Sequence, residues 1–237
     1  MMSTPRSRAR ARTMDEIVRI GREHLAVHGA AALSLRAVAR DLGVVSSAVY
    51  RYVSSRDELL TMLVVDGYNE LGDTVETALA AVERGSGWER LRALSYAVRR
   101  WALAEPARYG LLFGTPVPGY QAPAEQTTGP GTRVIVALLD VIEDAYRVGE
   151  LIAPDPLPVI SGDLHADLEA MRAESGARSP DWVLARALTV WTVLFGAVSF
   201  DVFDMYGART FTDRSEVFDV HLANMARILG LRGAAVS

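Results

Sequence analysis

The sequence predicts an all-α fold, with a small N-terminal three-helix domain of helix-turn-helix type ahead of a larger helical domain. Three observations carry this. Apolar residues recur three and four positions apart over long stretches between Met14 and Leu229, the period of a helix with one buried face. No stretch alternates apolar and polar residues as a half-buried strand does. Clusters of glycine, proline and serine separate most of the periodic stretches and mark the stops. With 237 residues, 50% of them apolar, the chain can bury a substantial core.

Each element has its own local signal. Thr13-Met14-Asp15-Glu16 has the spacing of a capping box and predicts a helix from Met14 to His28, with Met14, Ile17, Val18, Gly21 and Leu25 on one face and Gly29 as its left-handed stop. Ser34 is positioned to cap a short second helix carrying Leu35, Val38, Ala39 and Leu42, and the chain turns at Gly43. A third helix from Ser46 to Tyr52 buries Val49, and Ser54 or Ser55 caps a long helix from Arg56 to about Val82. Gly85-Ser86-Gly87 separates it from a helix Trp88–Ala104 carrying Leu91, Leu94, Tyr96, Val98 and Trp101. Pro106 opens a short helix through Tyr109 and Phe113, and the run Gly114–Gly131 reads as a loop. The next helix spans Thr132–Val148, with Val136, Leu139, Ile142 and Tyr146 on its apolar side. Pro154, Pro156 and Pro158 mark an irregular link, Ser161–Ser175 is a polar helix, and Asp181–Tyr206 and Asp213–Leu229 close the chain.

Composition excludes several chemistries. There is no cysteine, hence no disulfide, thiolate nucleophile or cysteine-ligated metal, and a reducing cytoplasm is the expected compartment. The arginine-rich start leads into an amphipathic helix without the apolar stretch of a secretory signal, and the apolar run Ala187–Phe200 is short for a membrane span. Phosphate loops, dinucleotide fingerprints and nucleophile elbows are absent, so no enzyme activity, cofactor or metal is predicted. His24 and His28 have metal-pair spacing but lack a third ligand and read as surface residues; Asp163, His165 and Asp167 form a weak alternative cluster. Charge is the informative quantity. Residues 1–60 hold ten arginines against six acids, about +4, and the remainder fifteen against twenty-three, about −8, which together give the chain's −4. A basic head on an acidic body places a polyanionic partner at the N-terminus.

Two short helices joined by a glycine turn, with the small Ala39 where they cross, are the pattern of a helix-turn-helix. The stretch from Leu42-Gly43-Val44-Val45-Ser46-Ser47-Ala48-Val49-Tyr50-Arg51-Tyr52 through Val53-Ser54-Ser55-Arg56-Asp57-Glu58-Leu59-Leu60 resembles the signature of the TetR family of regulators, and Leu33–Ala39 resembles that family's second helix. Val45 stands where the family often has serine or threonine, and Arg56 where it often has lysine. The resemblance implies a DNA-binding regulator in which Tyr50 and Tyr52 offer hydroxyls to phosphates. Arg36 and Arg56, at helix starts, are placed to contact the duplex backbone. Val45, Ser46, Ser47, Ala48 and Arg51 are the candidates for base contacts, through methyl groups, hydroxyls and a guanidinium. So few long polar readers leave a larger share to DNA shape. Tyr52 has an alternative place in the core, and Arg51 an alternative in solvent. Arg6, Arg8, Arg10 and Arg12 belong to a flexible basic arm, residues 1–12, that either enters the minor groove or only adds non-specific affinity.

The resemblance further implies a head at residues 13–55 and an effector-binding and dimerisation domain at residues 56–237, whose last two long helices pair with those of a second copy. A homodimer on double-stranded DNA implies a palindromic operator. Trp191-Thr192-Val193-Leu194-Phe195-Gly196 also resembles the Trp-x-x-x-His-Gly motif of the WHG subclass, with Phe195 replacing the histidine, which implies a drier pocket. Tyr68, Tyr96, Trp101, Tyr109, Phe113, Trp191 and Phe195 are the candidate lining for a small apolar or aromatic effector, with plain core packing as the alternative for each. Arg99 and Arg100 read as a solvated face, with recognition of an anionic group as the alternative.

Overall fold

A computed structural model describes residues 5–232 of the chain. Among the described residues the elements are α1 (Pro5–His28), a 3-10 turn (Ala30–Ala32), α2 (Leu35–Asp41), α3 (Ser46–Val49), α4 (Arg56–Ala80), α5 (Gly87–Ala104), α6 (Pro106–Phe113), α7 (Ala124–Arg147), α8 (Gly162–Ser175), α9 (Asp181–Val202) and α10 (Arg214–Leu229). No strand occurs among them, only an isolated antiparallel bridge between Leu151 and Leu231. The all-α prediction holds.

The chain divides into two compact units: residues up to Glu70 with Glu105–Gly131, and Leu71–Ala104 with the residues from Thr132 onward. In the first, Ile17 and Ile20 of α1, Leu35, Val38 and Ala39 of α2, Val49 of α3, Val53, and Leu59, Leu60 and Leu63 of α4 form one buried cluster, with Leu111, Val117 and Tyr120 packed against it. Each large aliphatic side chain so enclosed contributes roughly 1.5–3 kcal/mol. Caps fix the entry to α4: the Glu58 amide donates to Ser55 Oγ at 3.1 Å, and Glu58 Oε2 accepts from the Ser54 amide and hydroxyl, both at 2.6 Å. These bonds hold the Glu58 carboxyl below the ordinary range, the Ser54 hydroxyl contributing most.

In the second unit α9 packs along α10 and against α5. Leu91, Leu94 and Val98 of α5, Val190, Leu194 and Val198 of α9, and Phe218, Leu222 and Met225 of α10 are all buried. Arg99 and Asp201 are buried as a pair, Nε to Oδ2 at 2.7 Å, with the guanidinium carbon 5.0 Å from the centre of the Phe218 ring. Arg99 is therefore an internal residue, not part of a solvated face; Arg100 is exposed.

Four boundaries differ from expectation. α1 begins at Pro5, eight residues before the Thr13 box, and Thr13 Oγ1 donates to the Ala9 carbonyl at 3.1 Å instead of capping. Pro5 suits a first turn and the arginine-alanine run that follows is strongly helix-forming, so the upstream segment joins the helix. Of the expected arm, Met1 to Thr4 lie outside the described residues. α3 closes at Val49, and Tyr50–Tyr52 continue as a turn held by Tyr50 N to Ser46 O and Tyr52 N to Val49 O. α7 starts at Ala124 inside the expected loop and runs through Pro130, its first amides, Gln126 and Thr127, bonding the Pro123 carbonyl. Its buried face is Val134, Leu138, Val141, Ile142 and Ala145, rotated from the expected stripe, and Val136 is exposed. α9 stops at Val202 because Asp204 adopts a left-handed φ of 52°.

Candidate nucleic-acid interface

The local sequence around α2 and α3 dictates which side chains face outward. Gly43 sits at φ +72°, a conformation that favours glycine. It lets the amides of Gly43 and Val44 return to the carbonyls of Arg40 and Ala39 at 3.1 and 3.0 Å, closing α2 in the manner of a left-handed cap. Ala39 is 1% exposed, so the close α2–α3 crossing depends on its single methyl. Val49 then plugs α3 into the core at 1% exposure. With Val49 fixed inward, Val45 and Ser47 of the α3 region and Tyr50 and Arg51 of the following turn are all exposed; Ser46 and Ala48 are half-buried. Arg36, on the first turn of α2, is exposed as well. The face therefore carries two unshielded guanidinium groups, small hydroxyls and an exposed valine.

Tyr52 is half-buried and packs on the core with one side of its ring, while the Arg10 guanidinium carbon lies 5.2 Å from the ring centre. Arg56 is half-buried, and its Nη2 donates to the carbonyls of Ala30 and Ala31 at 2.9 and 3.3 Å. It binds the start of α4 to the 3-10 turn. Its role inside the head is thus structural, in addition to any contact it makes outside.

Sequence reading missed the polar contacts that brace this head. His24 is 9% exposed, and its Nε2 lies 2.6 Å from Asp41 Oδ2, which corrects the surface reading of that histidine; His28 is exposed. The imidazole, together with Arg40, holds the Asp41 carboxyl below its ordinary range. Arg22 of α1 and the buried Arg108 of α6 share Asp66 and Glu70 of α4: Arg22 Nε to Asp66 Oδ2 is 2.7 Å, Arg108 Nη2 to the same oxygen 2.9 Å, and Arg108 Nη1 to Glu70 Oε2 2.8 Å. Partners 38 to 44 residues apart leave no local signature.

The aromatic residues separate into groups. In the first unit Tyr68 meets Phe113 with ring centres 5.9 Å apart, and Tyr109, fully enclosed, meets Phe113 at 5.1 Å. Burial raises the Tyr68 hydroxyl above its ordinary range, with the Tyr120 charge adding to it. In the second unit Trp101 is buried, and Trp191 meets Phe195 at a tilt along α9 with ring centres 4.2 Å apart. Tyr96 packs on Phe218 at 5.3 Å and donates to Asp219 at 2.6 Å. Tyr96 also lines a cleft of about 350 Å³ with Ala78, Ala81, Arg92, Ala93 and Arg100. His165, from the weak acidic cluster, instead pairs with Asp181.

Comparison with known proteins agrees with this geometry. Residues 13–63 match the family model described as bacterial regulatory proteins, tetR family, and residues 91–225 match the tetracyclin repressor-like C-terminal domain. The chain is 44% identical over 226 residues to the HTH-type transcriptional regulators Rv1816 of Mycobacterium tuberculosis and Mb1846 of Mycobacterium bovis, an alignment that covers 93% of this chain and 94% of each relative. Among solved structures, SCO4313, described as a regulatory protein, superposes with a TM-score of 0.75 at 33% identity over 94% of this chain and 98% of that one. The fold is shared with the TetR-family regulator PfmR of Thermus thermophilus, TM-score 0.54 at 16% identity, over 90% and 96% of the two chains. An exposed recognition turn in a chain that aligns with such regulators almost end to end has one assignment: this protein belongs to the TetR family and is a DNA-binding transcriptional regulator rather than an enzyme.

Proposed function

We propose that the protein is a homodimeric repressor that occupies a palindromic operator and leaves it when a small apolar or aromatic effector binds. The observation that carries the DNA half is the outward set Arg36, Val45, Ser47, Tyr50 and Arg51, anchored by the buried Val49. Arg36 and the Tyr50 and Tyr52 hydroxyls hold phosphates, and Arg56 does so from the start of α4. Arg51 donates to a guanine edge, Ser46 and Ser47 bond base edges, and Val45 and Ala48 meet thymine methyls. The functional division is a basic arm at 1–12, a head at 13–55 and an effector and dimerisation domain at 56–237.

Dimerisation is supported by α9. Its length and apolarity are those of a membrane span, yet only 39% of its most apolar stretch is buried within one chain. Thr189, Thr192, Gly196 and Phe200 fall at helical spacing and are all exposed, and a methyl group added at Gly196 would meet no atom within 4 Å. A second copy laid along α9 and α10 covers this uncharged face. The dimer then presents two recognition turns one helical repeat apart, in the cytoplasm, where the operator is.

The effector half draws on the ring group Tyr68, Tyr109 and Phe113 and on Tyr96, Trp101, Trp191 and Phe195. Ligand binding shifts the population toward a state whose α4 no longer sets the operator spacing. The complete enclosure of Tyr109 and the burial of Trp101 favour a second reading, a constitutive regulator without a ligand. Footprinting on the DNA upstream of the protein's own coding sequence, repeated against a panel of apolar metabolites, separates the two. A two-fold symmetric footprint that a metabolite erases supports the repressor. A footprint that every ligand bound by the protein leaves intact supports the constitutive reading.

A further inference from the structure

The N-terminal turns of α1 lie outside the DNA face described so far, and their geometry is specific. Ile17 is buried and Met14 packs on the same core; the three- and four-residue steps that align them lead next to Arg10. Arg10 therefore sits on the inward side of α1, one turn beyond the last core residue, and what it meets there is the ring of Tyr52 at 5.2 Å. Arg8 and Arg12, two residues to either side, are turned roughly 200° away on the helix.

A cation–π contact of this kind uses the charge of the guanidinium and consumes none of its N–H donors. Among the described residues no carboxylate or carbonyl accepts from Arg10, and the side chain is exposed. Arg19, Arg22 and Arg56 differ, each being held by carboxylate or carbonyl oxygens. Arg10 is thus an exposed cation beside the Tyr52 ring whose donors have no carboxylate or carbonyl partner among the described residues. Its planar donor set suits the oxygen pair of a phosphate.

We infer that Arg10 is a phosphate-binding residue of the DNA interface, held over Tyr52, and that the interface extends onto the first turns of α1. The ligand is a phosphodiester of the duplex backbone. This rests on the assignment of the DNA face above, and the test separates the two.

The measurement is the dependence of duplex affinity on salt, with a fluorescent duplex from upstream of the protein's coding sequence and full-length protein. Each phosphate neutralised contributes about 0.9 to the slope of log K against log salt. Arg10→Met keeps an apolar stem over the ring and removes the charge, so its slope falls by about 0.9; Arg10→Lys keeps the wild-type slope. Arg12→Met, on the opposite side, loses less than half as much, and unchanged melting temperatures show that all variants are folded. A wild-type slope in Arg10→Met overturns the inference even where affinity falls, because Arg10 then only positions Tyr52. An equal loss in Arg12→Met overturns it too, since any nearby charge would serve. Arg36→Ala, in the same series, reports on the face itself. If it lowers the slope and Arg10→Met does not, Arg10 alone is reassigned; if neither does, the assignment of the face fails.

Discussion

The two units leave different surfaces uncovered. The α2–α3 face of the first unit exposes Arg36 and Arg51 with no internal partner, beside short hydroxyl side chains. The α9 face of the second carries no charge from Ala187 to Phe200, and the unit keeps Arg99 inside on Asp201. An open cation seeks a polyanion, and desolvating it against DNA phosphate is compensated by the new pairing. An uncharged helix face has nothing to offer phosphate and loses least when covered by a like surface. The contrast in where charge is left open is thus what supports the proposal that one face meets DNA and the other a second copy.

The contrast is broken most severely from inside the second unit. Arg99→Ala leaves the Asp201 carboxylate buried without its counter-ion, at a cost of about 3–5 kcal/mol, and urea unfolding should show that loss. Arg99→Met with Asp201→Leu should recover most of it, because an apolar pair of similar volume avoids the desolvation of both charges. A carboxylate placed on the open α9 face tests the dimer. Gly196→Glu should weaken self-association by roughly 3 kcal/mol, about a hundredfold in Kd, since two unpaired charges are buried together. Sedimentation should then find a folded monomer. On the DNA side, Arg51→Ala should cost about 1–3 kcal/mol and relax preference at one base pair of each half-site, measured by competition among operator variants.

The smallest effect is a titration. Its hydrogen bond to Asp181 raises the His165 imidazole above the ordinary 6.5, with the Asp181 and Glu169 charges adding to it, and the same bond lowers the Asp181 carboxyl. The histidine's contribution is complete below about pH 6.5 and is lost as pH rises through its raised value; the aspartate's is lost only in acid, as pH falls through its depressed value. The melting temperature should decline slightly from about pH 6 to about pH 8, and His165→Gln should flatten that decline.

Local chemistry made much of this architecture legible. Gly43, the Ser54-Ser55 cap and Pro106 each act within four residues, and each marks a boundary within a residue or two. Thr13 misled because a cap competes with whatever precedes it, and Pro5 followed by arginine and alanine continues a helix. Pro130 misled for the opposite reason. Gly131 lets the Tyr68 ring approach to 3.3 Å of where a β-carbon would stand, and such packing sustains α7 through a local breaker. The candidate DNA face was readable because a contiguous motif carries it. Arg10 over Tyr52, His24 on Asp41 and the pairing of Arg99 with Asp201 join residues far apart in sequence, and periodicity carries no information about such partners.

The shared carboxylates of α4 have a consequence for how the head moves. Arg22 and Arg108 pull on Asp66 and Glu70 from two different helices, and Arg108 is 2% exposed. Partial separation would strand a guanidinium away from both water and its counter-ions, so intermediate positions of α1, α4 and α6 are the costly ones. Only Arg108 is enclosed enough to meet that cost in full, so it is the pin of the cluster, and Arg22, open to water, is the strap that can be released first.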